Sequence, residues 1–117
     1  MFPLRVSDIQ INIKSKRLIG PINLQIEQNG ISILLGANGS GKTTLLEALH
    51  GLRKLSAGKV EWAISHTLAA KEQTFVFQSP IMLRRTVSEN LAFPLKVRQI
   101  SKSVANAEVM MWAKKIG

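Results

Sequence analysis

A glycine-rich turn followed at once by a lysine and a threonine most restricts what this chain can fold into. Gly36 and Gly41 stand five positions apart, and Lys42 and Thr43 follow the second glycine directly. Glycine lets the backbone curl tightly, so that several N–H groups can meet phosphate oxygens together. The pattern matches the phosphate-binding loop, which lies between a strand and a helix.

The residues on either side of the turn have the composition that such a loop needs. Residues 31–35 are almost all apolar, which predicts a strand covered on both faces in a parallel sheet. Residues 42–50 are rich in helix formers, with three leucines on one face, and Gly51 is placed to end the helix. The sequence therefore predicts a phosphate site at a helix N-terminus, where unpaired N–H groups and the helix dipole attract anions.

Three side chains of this loop have predicted chemical roles. Lys42 supplies a flexible positive charge that can reach β- and γ-phosphates, and the Thr43 hydroxyl can ligate the Mg²⁺ that bridges them. We expect Thr44 to add a contact to the α-phosphate. The nucleotide-binding residues predicted in this way are Gly36, Ala37, Asn38, Gly39, Ser40, Gly41, Lys42, Thr43 and Thr44.

Alternation of apolar and polar residues predicts strands before the loop. Residues 4–13 and 22–27 each have this pattern, which is typical of half-buried strands. Gly20-Pro21 indicates a turn between them, and Asn29-Gly30 indicates a tight hairpin turn after the second.

The second half of the chain is less regular. Short strands are predicted over residues 59–64 and 74–77. A capping box that starts at Thr86 predicts a helix that Pro94 closes, and a last helix is predicted over residues 102–116. This element order indicates an α/β fold, and the absence of repeats and linkers predicts a single domain over residues 1–117.

The composition excludes several classes of protein. No cysteine occurs among the 117 residues, which excludes a disulfide scaffold and a thiolate metal site. The apolar runs are far shorter than the roughly 18 residues that a membrane span needs. Arg5 and Asp8 interrupt any secretory signal at the N-terminus. These observations predict a soluble intracellular chain.

The net charge of +9 raises nucleic acid as a partner, because basic surfaces attract phosphate backbones. The 16 Lys and Arg are scattered along the chain, however. Aromatic residues make up only 5% and do not alternate with the basic ones, as base-stacking surfaces require. We therefore expect no nucleic-acid partner.

Two groups of segments, in the same order as in the family, resemble ATP-binding cassette (ABC) ATPases. Residues 36–46, with 49–52 and 56–58 after them, are similar to the Walker A segment of that family. Further along the chain, residues 75–78 and 82–91 resemble its glutamine loop and the helix that follows. The resemblance covers nearly the whole chain.

The resemblance implies a P-loop NTPase fold of the ABC type, with parallel core strands and an N-terminal antiparallel β subdomain. It implies ATP and Mg²⁺ as ligands, with Gln78 as a catalytic residue that contacts Mg²⁺ and the attacking water. It also implies a cytoplasmic subunit on the inner face of the plasma membrane, docked on a transmembrane permease and paired with a second ATPase subunit. Residues 49–52 and 80–85 look most like ATPases of tungstate- or molybdate-type oxyanion importers.

Several family features are missing from this sequence. The aromatic residue that usually stacks on adenine would fall near Ile13, which leaves only apolar contact there. The signature motif, the Walker B acids, the catalytic glutamate and the switch histidine normally come after the point where this sequence ends. We therefore expect an N-terminal part of an ATPase that binds ATP without turnover, with Val76 and the apolar faces of the last two helices exposed.

Two alternatives stay open at this point. Another phosphate-loop NTPase, such as a small kinase or a GTPase, would need its own base-recognition residues, and the Asn-Lys-x-Asp guanine signature is absent. A non-catalytic fragment would bind nucleotide or a membrane partner and would release no phosphate.

Overall fold

The computed structural model describes residues 1–28 and 30–117, and its contacts divide the chain into two compact units. The first unit is Met1–Phe75 and the second is Val76–Gly117. All the strands belong to the first unit, whereas the second contains two helices. The single domain over residues 1–117 stays a prediction.

The first unit is built on a three-stranded antiparallel sheet. Its strands are β1 (Leu4–Ile13), β2 (Lys16–Ile26) and β3 (Ala57–Trp62), in the order β2-β1-β3. The central strand, β1, was predicted with these bounds, because its alternating apolar residues point into the core. Buried residues of the main core are Leu4, Val6, Ile9 and Ile11 from β1, Ile19 from β2, and Leu45 and Ala48 from the helix after the glycine-rich turn.

A bulge interrupts β1 at Asp8, where the backbone has a φ of 48° and the register shifts against both neighbours. The Asp8 N–H donates to Asn23 Oδ1 at 2.8 Å, and Asn23 Nδ2 donates to Asp8 Oδ1 at 2.8 Å. Gly58 of β3 lies against the bulge, and a Cβ there would be 2.4 Å from the Asp8 carbonyl. The bulge therefore needs a glycine on the neighbouring strand.

Two helices belong to the first unit. Helix α1 (Lys42–His50) has the predicted bounds and ends at Gly51, whose φ of 87° is typical of a C-terminal glycine cap. Helix α2 (His66–Glu72) was not predicted, although the Ser65 hydroxyl caps it by accepting from Leu68 N at 3.4 Å. Seven residues give too short an apolar pattern to reveal a helix.

The second unit consists of α3 (Val87–Val97) and α4 (Lys102–Ile116) with the segment before them. The predicted capping box of α3 is confirmed, and α4 has its predicted bounds. Only Ala105 and Val109 are buried in this unit. Val76 is 88% exposed, and the expected exposure of apolar residues on the two helices is also found, for example at Val97, Met110 and Ile116.

The predicted parallel strands are wrong for this structure. Residues 31–37 and 73–77 have no regular secondary structure, and Ile31 and Val76 are 92% and 88% exposed. A parallel strand needs neighbours that complete its hydrogen bonds, and the sheet of the described residues contains β1, β2 and β3 alone. Strand β3 also lies two residues earlier than predicted.

Two predicted breaks are also wrong. Gly20-Pro21 lies inside β2, because β2 is an edge strand where a missing N–H is tolerated. Pro94 lies inside α3, and the helix continues because Arg98 N still bonds Pro94 O at 3.1 Å. The predicted turn at Asn29-Gly30 includes Asn29, which is outside the described residues.

Candidate phosphate-binding site

The glycine-rich turn, residues 36–41, leads into the N-terminus of α1. Gly41 is the N-cap residue and makes no side-chain hydrogen bond, and no acidic residue lies in the first turn. The N–H groups of Lys42, Thr43 and Thr44 therefore have no partner within the helix, whose first bond runs from Leu45 N to Gly41 O at 2.8 Å. The partial positive charge at this end of α1 is therefore not balanced by an acidic side chain of the first turn, and it favours an anion.

The three glycines of the turn are needed for different reasons. A Cβ at Gly36 would lie 2.8 Å from Ser40 Oγ, so this position requires a close approach. Gly39 has open space around it but a φ of 78°. Gly41 combines a φ of 89° with a neighbour, Ile19 of β2, whose Cγ2 would be 2.3 Å from a Cβ.

The ammonium group of Lys42 lies within the turn. Its Nζ donates to Gly36 O at 2.8 Å and to Ala37 O at 2.7 Å, while Ser40 N donates to Ala37 O at 3.2 Å. Lys42 thus joins the start of the turn to its end through a charge-assisted pair of bonds. The positive charge of Lys42, which is predicted to contact phosphate oxygens, therefore lies beside the loop.

Two acidic side chains of the first unit form ion pairs. Glu47 pairs with Arg53 at 2.7 Å, and Glu61 pairs with Lys59 at 2.9 Å. The described residues contain no cluster of three or more His, Cys, Asp or Glu that could hold a metal ion. Thr43 is exposed, and its role as a Mg²⁺ ligand stays a prediction.

Gln78, the predicted catalytic residue, belongs to the second unit. It is exposed and lies outside regular secondary structure. Its contact with Mg²⁺ stays a prediction.

Sequence reasoning missed a residue that organises the segment after Gln78. The Asn90 amide of α3 accepts from Leu83 N at 2.9 Å and donates to Leu83 O, Arg85 O and Thr86 O at 3.0 to 3.2 Å. No single-sequence pattern distinguishes this asparagine from a solvent-exposed helix residue.

Phe2 and Trp62 are two aromatic residues of the first unit. Phe2 and Trp62 form an edge-to-face pair with ring centroids 5.7 Å apart. Trp62 pairs in register with Leu4 at the start of β1, whereas Ile13 ends that strand and is 51% exposed. Trp62 therefore lies at the other end of β1 from Ile13.

Comparison with known proteins gives the family. The family described as "ABC transporter" matches residues 19–117, which include the glycine-rich turn, α1 and both helices of the second unit. The chain belongs to the ABC transporter family. A small kinase or a GTPase is thereby disfavoured.

Individual relatives of the chain are ATP-binding proteins of ABC uptake systems. The tungstate uptake system ATP-binding protein TupC of Peptoclostridium acidaminophilum is 31% identical over 97% of the chain and 54% of its own length. The sulfate/thiosulfate import ATP-binding protein CysA of Rhodopseudomonas palustris is 38% identical over 87% of the chain and 31% of its own length. The corresponding protein of Xylella fastidiosa is 36% identical over 82% of the chain and 29% of its own length. The chain thus spans about half or less of each of these relatives.

Within residues 1–28 and 30–117, no helix is long and apolar enough to cross a bilayer.

Proposed function

We propose that the chain binds Mg²⁺-ATP as part of the ATP-binding subunit of an ABC importer. The observation that carries this proposal is the junction between the glycine-rich turn and α1. There the first N–H groups of α1 lack capping side chains, and the Lys42 ammonium group lies 2.7 and 2.8 Å from two loop carbonyls. A triphosphate supplies the negative oxygens that both features lack.

Nucleotide binding requires this loop to exchange hydrogen-bond partners. The N–H groups of Lys42, Thr43 and Thr44 donate to phosphate oxygens, and the Lys42 Nζ turns from Gly36 O and Ala37 O toward the β- and γ-phosphates. The Thr43 hydroxyl ligates Mg²⁺, which screens the charge between those phosphates when bound. In the longer protein, Gln78 would contact Mg²⁺ and the attacking water, and it would couple the site to the membrane partner.

Turnover belongs to the longer protein in this proposal. The described acids form no metal-binding cluster, and Glu47 and Glu61 are paired with basic side chains. Hydrolysis needs acids that hold Mg²⁺ and a group that orients water. The chain alone therefore binds ATP without releasing phosphate, and hydrolysis requires two complete ATP-binding subunits on a transmembrane permease at the cytoplasmic face of the plasma membrane.

The names of the relatives support an oxyanion as the transported solute. They specify tungstate for one protein and sulfate or thiosulfate for others. Tungstate and sulfate are both tetrahedral oxyanions, and we extend this substrate class to the importer that contains this chain.

The binding proposal is tested with the substitution Lys42→Met. Methionine keeps an unbranched apolar side chain beside Gly36 and removes the ammonium group that bonds the loop. We expect the dissociation constant of a fluorescent ATP analogue with Mg²⁺ to rise at least about 30-fold. This change corresponds to a loss of about 2 kcal/mol of binding free energy, since each 1.4 kcal/mol weakens binding tenfold.

Lys54→Met is the matched control, because Lys54 is an exposed lysine of the same unit outside the loop. It changes the net charge equally and should alter the dissociation constant by less than about twofold. Equal binding by the Lys42→Met variant and the parent chain would contradict the proposed site. Steady phosphate release by the purified chain would contradict its lack of turnover.

A further inference from the structure

A side chain of β2 lies directly against the last glycine of the phosphate loop. A Cβ at Gly41 would be 2.3 Å from Ile19 Cγ2 and 3.8 Å from Ile19 Cβ. Apart from the residues next to Gly41 and the helix backbone, no other described heavy atom lies within 4 Å of that position. One methyl group therefore occupies the side of Gly41 toward which a Cβ would point.

That methyl group has little freedom to move. Ile19 is 9% exposed and belongs to the core cluster that includes Ile11 and Leu45. A β-branched side chain has a restricted χ1, so Cγ2 stays fixed relative to the backbone of β2. In register, Ile19 is paired with Ile11 of the central strand, which connects the methyl group to a buried residue of the sheet.

Gly41 in turn determines where the phosphate-binding N–H groups point. It is the N-cap of α1, its φ of 89° sets the entry of the chain into the helix, and its carbonyl accepts the first helical bond from Leu45. The N–H groups of Lys42 and Thr43 follow directly. Hydrogen bonds to phosphate need donor–acceptor distances of about 2.7–3.2 Å, so a small displacement of Gly41 weakens several of them together.

We propose that Ile19 is a positioning residue for the nucleotide: its Cγ2 methyl holds Gly41 and thereby orients the first N–H groups of α1 toward the phosphates. This role rests on the proposed ATP site and adds to it a residue of β2 that lies outside the phosphate-loop motif. It also gives Gly41 a second function, because the missing Cβ makes room for the methyl group.

The test separates the position of one methyl group from the volume of the side chain. Ile19→Val keeps Cγ2 and loses only the terminal Cδ1 methyl. Ile19→Leu keeps the volume but moves the branch from Cβ to Cγ, which removes Cγ2. We expect the Val variant to bind the fluorescent ATP analogue with Mg²⁺ within about twofold of the parent chain, and the Leu variant about tenfold more weakly, since small misplacements of binding groups are costly.

The same two changes at Ile9 are the control. Ile9 is fully buried in the same core cluster and has no atom within 4 Å of the Cβ position at Gly41. Ile9→Val and Ile9→Leu should leave the dissociation constant within about twofold, provided that thermal unfolding shows each variant to be folded at the assay temperature. A purely structural role of Ile19 would instead make the effects of its two variants follow their loss of stability.

Two results would overturn the inference. One is equal weakening of ATP binding by Ile19→Leu and Ile9→Leu, and the other is weaker binding by Ile19→Val than by Ile19→Leu. If the Leu variant does not fold, Ile19→Thr and Ile19→Ser replace the pair, because they carry the same hydroxyl and differ only by the Cγ2 methyl. The Thr variant should then bind at least about threefold more tightly, and equal binding would overturn the inference.

The Lys42→Met variant distinguishes this inference from the proposed function. If that variant binds ATP as the parent chain does, the ATP site itself is wrong. If it loses binding while the Ile19 pair shows no difference, the site stands and only the positioning role of Ile19 fails.

Discussion

Helices α1 and α3 begin in opposite ways. At α3, Thr86 Oγ1 accepts from Glu89 N at 3.2 Å, and Glu89 Oε2 accepts from Thr86 N at 3.0 Å, so the chain caps its own helix. At α1, the N-cap is Gly41, which has no side chain to offer, and the first turn contains no acid. Helix α1 therefore leaves its first N–H groups without a capping side chain, whereas α3 caps its N-terminus with its own side chains.

The difference shows what a helix start needs before it can serve as an anion site. An N-terminus that carries its own carboxylate competes with any anionic ligand for the same N–H groups. The third helical position is Glu89 in α3 and Thr44 in α1. The comparison therefore predicts that a glutamate at the third position of α1 makes its N-terminus less available to an anion.

The largest effect is expected when α1 is given the residue that caps α3. Thr44→Glu places a carboxylate in the first turn of α1, beside the positions expected for phosphate oxygens. Two unit charges about 5 Å apart repel by roughly 3 kcal/mol at an effective dielectric constant near 20, which weakens binding about 100-fold. Titration with the fluorescent ATP analogue and Mg²⁺ measures this loss.

Thr44→Gln is the control, because it has the size and hydrogen-bonding length of glutamate without the charge. It loses the predicted hydroxyl contact to the α-phosphate, so we expect the dissociation constant to rise by about fivefold or less. Thermal unfolding should show the Glu variant to be as stable as the parent chain, since a carboxylate is favourable near a helix N-terminus. Tight binding by the Glu variant would place the phosphates elsewhere.

The sequence predicted the components of this comparison well. The glycine spacing with Lys42 and Thr43 located the loop, helix formers located α1, and Thr86 with Glu89 located the start of α3. These features are local, because each depends on residues within one turn or one helix. Local rules therefore sufficed to predict α1, the start of α3 and the glycine-rich turn before α1.

The sequence could not predict features that depend on distant partners. Residues 31–35 have strand composition, yet Ile31 is 92% exposed, whereas Ile9 in β1 is fully buried between two neighbouring strands. The contact between Ile19 and Gly41 spans 22 positions and leaves no mark in either local pattern. The bulge at Asp8 likewise depends on Gly58 and Asn23, which are far away in sequence.

A smaller effect is expected when α3 is made to resemble α1. Thr86→Ala removes the hydroxyl that accepts from Glu89 N, so the helix loses its N-cap. Loss of such a cap costs about 1 kcal/mol, which denaturant unfolding followed by far-ultraviolet circular dichroism would measure. Thr86→Ser keeps the hydroxyl and should restore most of the loss. An unchanged free energy of unfolding in the Ala variant would show that this cap contributes nothing.

The smallest effect is a pH dependence that only α3 should show. Hydrogen bonds from the Thr86 backbone and then from its hydroxyl lower the pKa of Glu89 below its ordinary value of 4.5. The lowered pKa means that the folded chain favours the ionised form of Glu89 more than the unfolded chain does. The resulting contribution to the free energy of unfolding is complete above pH 4.5 and is lost as pH falls through the lowered pKa. Glu89→Gln has no such titration. The difference in free energy of unfolding between the parent chain and this variant should therefore shrink below pH 4.5, and a constant difference would mean that the Glu89 carboxylate does not cap the helix.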